Sequence, residues 1–188
     1  MILPNDSILQ VEEMYNKAKC LFTKREVEEA LDNMATAINN EINDERPIFL
    51  CVLVGGIVPL GNLLTRLSFP LELDYAYASR YAGNTTGSEI VWKIKPRAEM
   101  KGRTVVIVDD ILDGGVTLAT IRDYCIEQHA KKIYTAVLVD KQRPREVSNL
   151  QHADFTGLVV PDVWVVGYGL DYKEYMRNLP GIYVIAPQ

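Results

Sequence analysis

Val105-Val106-Ile107-Val108-Asp109-Asp110-Ile111-Leu112-Asp113-Gly114-Gly115-Val116-Thr117-Leu118 decides how the rest of this chain is read. Four consecutive apolar residues, three of them valines, have the pattern of a strand buried on both faces. Two adjacent carboxylates stand where such a strand should emerge, a third follows, and then come two glycines and a threonine. Leu118, Ile121, Tyr124 and Cys125 continue at helical spacing. Strand, acidic pair, glycine turn and helix start form a ligand-binding arrangement in open α/β sheets, whose sites lie beyond the carboxyl ends of the strands. At Gly114, Gly115, Val116 and Thr117, successive N–H groups and the helix dipole attract a phosphate, and the Thr117 hydroxyl adds a donor.

Working outward, Ile48-Phe49-Leu50-Cys51-Val52-Leu53-Val54 reads as a second fully buried strand, ended by Gly55-Gly56 and followed by a helix over 57–67. Residues 71–78 read as a strand, 79–88 as a long polar tip and 90–94 as the returning strand, a hairpin whose tip has the character of a lid. Beyond the central motif, Ile133-Tyr134-Thr135-Ala136-Val137-Leu138-Val139 is another strand, ending in Asp140-Lys141-Gln142-Arg143-Pro144-Arg145. Before all of these, 7–21 has helical spacing, and Thr23 with Glu26 forms a capping box for a second helix that stops near 44–47. The closing segment holds two short strands within 153–172, a turn, and a last strand at 182–185. Apolar runs alternating with helical stretches predict an α/β fold with a mostly parallel central sheet flanked by helices. No repeat or linker divides the 188 residues, so a single domain is expected.

Composition narrows the function. Hydrophobic residues at 48% against 24% charged are ordinary for a globular protein, and no apolar run approaches the roughly 20 residues needed to span a bilayer. The start, Met1-Ile2-Leu3-Pro4-Asn5-Asp6, lacks the pattern of a secretory signal, and Cys20, Cys51 and Cys125 read as free thiols, so a cytoplasmic setting without a membrane is expected. A net charge of −5 argues against nonspecific nucleic-acid binding and leaves any anionic ligand to local donors and metal ions.

The acidic pair needs its own explanation, because carboxylates repel a neighbouring phosphate. Asp109 and Asp110 fit if they accept from sugar hydroxyls or help hold Mg²⁺ bound to phosphate oxygens. Phosphoribosyl pyrophosphate (PRPP) carries phosphate, ribose hydroxyls and a metal-binding diphosphate together. The other reading is a buried strand that ends in solvated acids before a turn. Trp164 is likewise open between two roles: its π face beside Val163 to Val166 suits a planar heterocycle, or it fills the core.

The central run resembles the PRPP-binding signature of the phosphoribosyltransferases. Gly55-Gly56 looks like the family's pyrophosphate loop, with Val54 where purine-salvage members commonly carry lysine. Pro161-Asp162 to Asp171-Tyr172, with Glu174-Tyr175 and Arg177, resembles the carboxyl-terminal segment of the hypoxanthine-guanine branch. The likeness spans roughly 45–188 and implies a PRPP-binding core of about 45–160 under a small hood from 1–44 and 161–188. It implies transfer of 5-phosphoribosyl from PRPP to hypoxanthine or guanine, giving IMP or GMP and pyrophosphate, by a homodimer or homotetramer with Mg²⁺. It also implies residue roles. Asp113 accepts the purine N7 proton; Asp109 and Asp110 face ribose and Mg²⁺; Asp113, Gly114, Gly115, Val116 and Thr117 grip the 5′-phosphate. Gly55, Gly56, Arg80, Tyr81 and Arg177 hold pyrophosphate, with Arg80 standing where the family has serine and Gly114 where it often has threonine. Trp164 stacks on the base, Val165 bonds it through the backbone, and Asp171 helps hold a second Mg²⁺ and approaches the guanine amino group. Lys141 approaches the 6-oxygen, a charge-assisted bond whose loss is worth about 1.5–3 kcal/mol against a 6-amino purine.

Two other readings share the fold: a xanthine-preferring relative and a PRPP-sensing RNA-binding regulator, the latter opposed by the acidic balance. A dinucleotide-binding oxidoreductase would need a G-x-G-x-x-G at a strand-to-helix turn, which the chain lacks.

Overall fold

The computed structural model describes residues 5–42, 46–80 and 90–186. Alternation within the buried strands sets the layers. In β2 (Ile48–Val52), Phe49 and Cys51 face one side of the sheet and Ile48, Leu50 and Val52 the other; in β5 (Thr104–Leu112), Val106 and Val108 oppose Val105 and Ile107 in the same way. The first side is covered by α2 (Lys24–Glu41) and α3 (Ile57–Leu64), through Met34, Ile38, Leu60 and Leu63. The second is covered by α4 (Val116–Glu127), through Leu118, Ile121 and Cys125. A sheet clothed on both faces explains why these strands read as unbroken apolar runs.

With β3 (Glu72–Arg80), β4 (Ile90–Ile94), β6 (Lys132–Gln142) and β7 (Phe155–Pro161), the six-stranded order is β4-β3-β2-β5-β6-β7. All neighbours are parallel except β4, which returns antiparallel on β3 as the edge. From β2 the chain crosses α3 to β3 on one side, and from β5 it crosses α4 to β6 on the other, so the β2–β5 boundary is a topological switch point.

A second sheet, β1-β9-β8, joins β1 (Lys19–Phe22) to β8 (Trp164–Val166) and β9 (Ile182–Ile185). Val165, Tyr168, Leu170 and Ile182 share a core with Val27 and Leu31 of α2 and Leu138, Val139 and Val160 of the large sheet. Helix α1 (Asn5–Lys17) packs Val11 and Met14 on Val166, Met176 and Ile185. Thr23 caps α2 in the expected box, with the Glu26 N–H donating to Thr23 Oγ1 and the Thr23 N–H to Glu26 Oε2.

Several boundaries depart from the sequence reading. The first helix stops at Lys17, because Cys20 and Phe22 pair with Tyr183 and Ile182 in the small sheet. Strand β2 ends at Val52, and Val54, expected inside it, is 37% exposed in the turn. Helix α3 ends at Leu64, short of 67. Strand β3 runs on to Arg80 because β4 pairs with it that far. Strand β5 does not end at Val108: it carries both acids and continues to Leu112, held by the pairing of Leu112 with Asp140. The rest of the expected tip, 81–88 with Tyr81, lies outside the described residues. Among the described residues no helix is long and apolar enough to cross a membrane.

Candidate active site

The site opens where β5 loses one neighbour. On the β2 side its pairing reaches only Val108 with Cys51, whereas on the β6 side it continues through Leu112 with Asp140. Asp109 and Asp110 therefore lie in a strand held on one side and uncovered on the other, where β2 has turned away at Gly55-Gly56. Asp110 packs directly over Gly55: a Cβ at that glycine would stand 2.1 Å from Asp110 Oδ2. Gly56 is as tightly constrained, since a Cβ there would meet the carbonyls of Val108 and Val52 at 2.7 Å. The Gly56 N–H, expected to face a diphosphate, donates to Val52 O at 2.9 Å and is engaged within the turn.

Both carboxylates are buried, Asp109 at 9% and Asp110 at 8% exposure. Burial, then the charge of Asp110, pushes Asp109 well above the ordinary carboxylate range; burial also raises Asp110, against the opposing effects of Asp109 and Arg177. Asp109 Oδ1 accepts from the Asp110 N–H at 2.9 Å. Arg177 Nη1 stands 3.8 Å from Asp110 Oδ2 and donates to Gly169 O at 2.7 Å, while its Nη2 meets Asp171 Oδ1 at 2.7 Å and Glu174 Oε2 at 2.9 Å. Asp171 also closes a turn, its Oδ2 accepting from the Glu174 N–H at 2.8 Å. One guanidinium thus links Asp110 to Asp171, and the donors here are hard oxygens suited to Mg²⁺. Among the described residues no cluster of three or more His, Cys, Asp or Glu is arranged to hold a metal. An ion at Asp109 and Asp110 would therefore complete its shell with ligand oxygens, as Mg²⁺ commonly does on phosphates.

Beyond β5 the chain forms the loop into α4, and residues 109–118 line a cavity of about 150 Å³. Gly115 is the N-cap with φ 76°, and a Cβ there would approach Leu150 O to 2.4 Å. The opposite side of the loop is braced by the segment after β6. Arg145 donates to Leu112 O (2.8 Å), Asp113 O (2.7 Å) and Lys141 O (2.7 Å), and pairs with Asp140 at 2.5 Å; Asn149 donates to Gly114 O at 2.9 Å. These bonds occupy loop carbonyls on the braced side, while the first N–H groups of α4, including that of Thr117, lack intrahelical partners as at any helix start.

A third cluster forms at the end of β6. Lys141, nearly buried, lies 3.6 Å from Asp113 Oδ1 and 3.9 Å from Asp162 Oδ1. Arg143 stands on the same two acids, at 3.0 and 4.0 Å. Trp164 is 57% exposed, which removes the core-filling alternative; its ring centroid lies 5.8 Å from Lys141 Nζ, and Tyr172 meets it edge-on at 6.5 Å. The expected apolar wall at 163–166 is not one surface, because Val165 and Val166 turn into the core while Trp164 faces out. β8 is an edge strand, where alternate backbone groups point away from the neighbouring strand.

The structure thus brings together Gly55, Gly56, Asp109, Asp110, Asp171 and Arg177 in one group, and Asp113, Lys141 and Trp164 in another, with 114–117 between. Arg80 closes β3, and Tyr81 falls outside the described residues. Sequence reasoning missed Arg143, Arg145, Asn149 and the pairing role of Asp162. The cation-rich run after β6 was the available signal, but carbonyl partners leave no sequence trace.

Comparison with known proteins follows the same lines. The profile of the phosphoribosyl transferase domain family matches residues 18–173. A hypoxanthine-guanine phosphoribosyltransferase of Streptococcus pneumoniae is 36% identical over 171 residues, covering 90% of this chain and 94% of that protein. The bifunctional protein TilS/HprT of Listeria innocua is 36% identical over 179 residues, 94% of this chain, and the chain spans only 27% of that longer protein. Among solved structures, a hypoxanthine phosphoribosyltransferase from Staphylococcus aureus superposes with a TM-score of 0.85 at 27% identity, covering 93% of this chain and 95% of that one.

Proposed function

The chain belongs to the phosphoribosyltransferase family, and on that premise we propose that it is a purine salvage enzyme, transferring 5-phosphoribosyl from PRPP to hypoxanthine or guanine and releasing pyrophosphate. The observation that carries the choice of base is the exposed Trp164 ring 5.8 Å from the Lys141 ammonium: a planar platform with a cation at its edge. A cation there favours a 6-oxo acceptor over the 6-amino donor of adenine.

The purine nitrogen attacks the anomeric carbon as the carbon–diphosphate oxygen bond breaks, and positive charge grows on the sugar. Trp164 and Lys141 orient the base, and the 114–117 loop anchors the 5′-phosphate, so the reacting atoms are held in line. Asp113 takes the N7 proton; it is held by Lys141 and Arg143 until the base arrives. Asp109 and Asp110 accept from the ribose hydroxyls, and Arg177 receives the departing diphosphate beside the Gly55 turn. Asp109, Asp110 and Asp171 would help hold Mg²⁺, which when bound would supply charge neutralisation for the leaving group. A homodimer or homotetramer in the cytoplasm, with one core that takes in α2 along its large sheet and a hood from α1, β1 and the segment after β7, completes the proposal.

Incubation with PRPP, Mg²⁺ and each of hypoxanthine, guanine, xanthine and adenine, compared by kcat/KM, tests it. Hypoxanthine and guanine should lead and adenine should trail by about ten- to a hundredfold. Absence of turnover with every 6-oxopurine overturns the proposal. A second reading, preference for xanthine, draws on Arg143, whose cation stands beside Lys141 on the same two acids and would suit a base with a second oxo group.

A further inference from the structure

The segment Gly167-Tyr168-Gly169 takes three successive left-handed conformations, with φ of 99°, 52° and 108°. Glycine adopts these freely, but a residue with a side chain loses about 1–2 kcal/mol there, so Tyr168 must be held by other contacts. Its ring is 5% exposed in the core shared by Val27, Leu31, Leu138 and Ile182, and its hydroxyl donates to Glu28 of α2. Its N–H donates to Leu179 O at 3.0 Å. The pinned residue fixes the next one: Gly169 lies so close to the candidate site that a Cβ would stand 2.3 Å from Gly55 O and 3.4 Å from Asp110 Cβ. The Gly169 N–H donates to Arg177 O at 3.0 Å, and its carbonyl accepts from Arg177 Nη1, the cation beside Asp110.

Glu28 also reaches the other wall. It pairs with Arg66, which follows α3 and donates to Asn62 O on that helix at 2.8 Å. Helix α3 is the one that Gly55-Gly56 leads into. The bond from Tyr168, then that from Arg66, holds the Glu28 carboxyl below its ordinary range and so keeps it charged.

We propose that Glu28 and Tyr168 form a clasp that positions the diphosphate end of the site, one carboxylate on α2 holding the Gly167–Gly169 wall and the α3 wall at a fixed separation. The inference rests on the phosphoribosyl-transfer reading and deepens it. Neither residue touches substrate; each acts through Gly169, Arg177 and the Gly55 turn.

The test compares wild type with Tyr168→Phe, which keeps the ring in the core, Glu28→Gln and Glu29→Gln, an exposed change on the same helix whose partner is Arg25. Binding of Mg²⁺-pyrophosphate by calorimetry is measured first, then KM for PRPP and for the purine. The clasp predicts about tenfold weaker pyrophosphate binding and a matching rise in KM for PRPP in Tyr168→Phe and Glu28→Gln, with purine KM within twofold and Glu29→Gln like wild type. Unchanged pyrophosphate affinity in Tyr168→Phe, or an equal rise in both KM values, overturns the clasp. Binding of pyrophosphate by a wild-type protein that turns over no purine overturns the transfer reading alone, and the variant affinities still decide the clasp.

Discussion

The turn after β2 and the turn after β5 both set paired glycines between a buried strand and a helix, yet a methyl group added to each would meet different things. At Gly55 it would strike the Asp110 carboxylate, at 2.1 Å; at Gly115 it would strike the Leu150 carbonyl, at 2.4 Å, on a residue whose φ of 76° already disfavours a side chain. The first turn is glycine because the Asp110 side chain lies on top of it. The second is glycine because the loop must fold back at a helix start while a bracing segment presses from behind. The same letters therefore report contact with the site in one case and loop geometry in the other.

Five substitutions, one of them followed across pH, bear on this contrast. The largest effect belongs to Asp113, at the mouth of the second turn: Asp113→Asn should cut kcat by about 10²- to 10⁴-fold with little change in KM for PRPP, and unchanged turnover would remove it as the proton acceptor. Gly55→Ala should displace Asp110 and lower kcat/KM for PRPP by about a hundredfold, more than it lowers thermal stability. Gly115→Ala should do the reverse, costing about 1–2 kcal/mol in denaturant unfolding from its backbone alone, and a variant as stable as wild type would refute the loop-geometry account.

A smaller effect should appear in the pH dependence of the ligand-free protein. Asp109 is raised well above its ordinary 3.8, so the folded chain keeps a proton that the unfolded chain releases near that pH. Its contribution to stability is greatest below that value and declines as the pH rises toward the folded value. Asp109→Asn should therefore gain Tm relative to wild type as pH increases above about 4, and a constant difference would contradict the burial argument. Gly61→Ala, in α3 with nothing within 4 Å of an added Cβ, is the mild counterpart of Gly55→Ala: about 0.4–1 kcal/mol more stable, with activity unchanged.

Much of the large sheet was legible because residues such as Val105 to Val108 are apolar on both faces, which only a clothed parallel strand requires. The end of β5 was misplaced because Asp109 and Asp110 look like residues leaving a strand, whereas pairing with β6 alone carries the strand to Leu112. The small sheet was harder still. Cys20 and Leu21 extend a helical spacing, and only β9, over 150 residues away along the chain, makes them a strand. Trp164 was open between core and platform because exposure is a tertiary property. Arg145 went unread because its partners are mostly carbonyls, which every residue carries alike.

The central claim is that Asp109 and Asp110 face sugar and metal while residues 114–117 wrap a phosphate. A crystal structure with a purine 5′-monophosphate and Mg²⁺ tests it most directly. The account predicts the phosphate seated over 114–117, the ribose hydroxyls toward Asp109 and Asp110, and the base on Trp164. A nucleotide bound elsewhere, with both carboxylates turned from it and no anion at the start of α4, would contradict it.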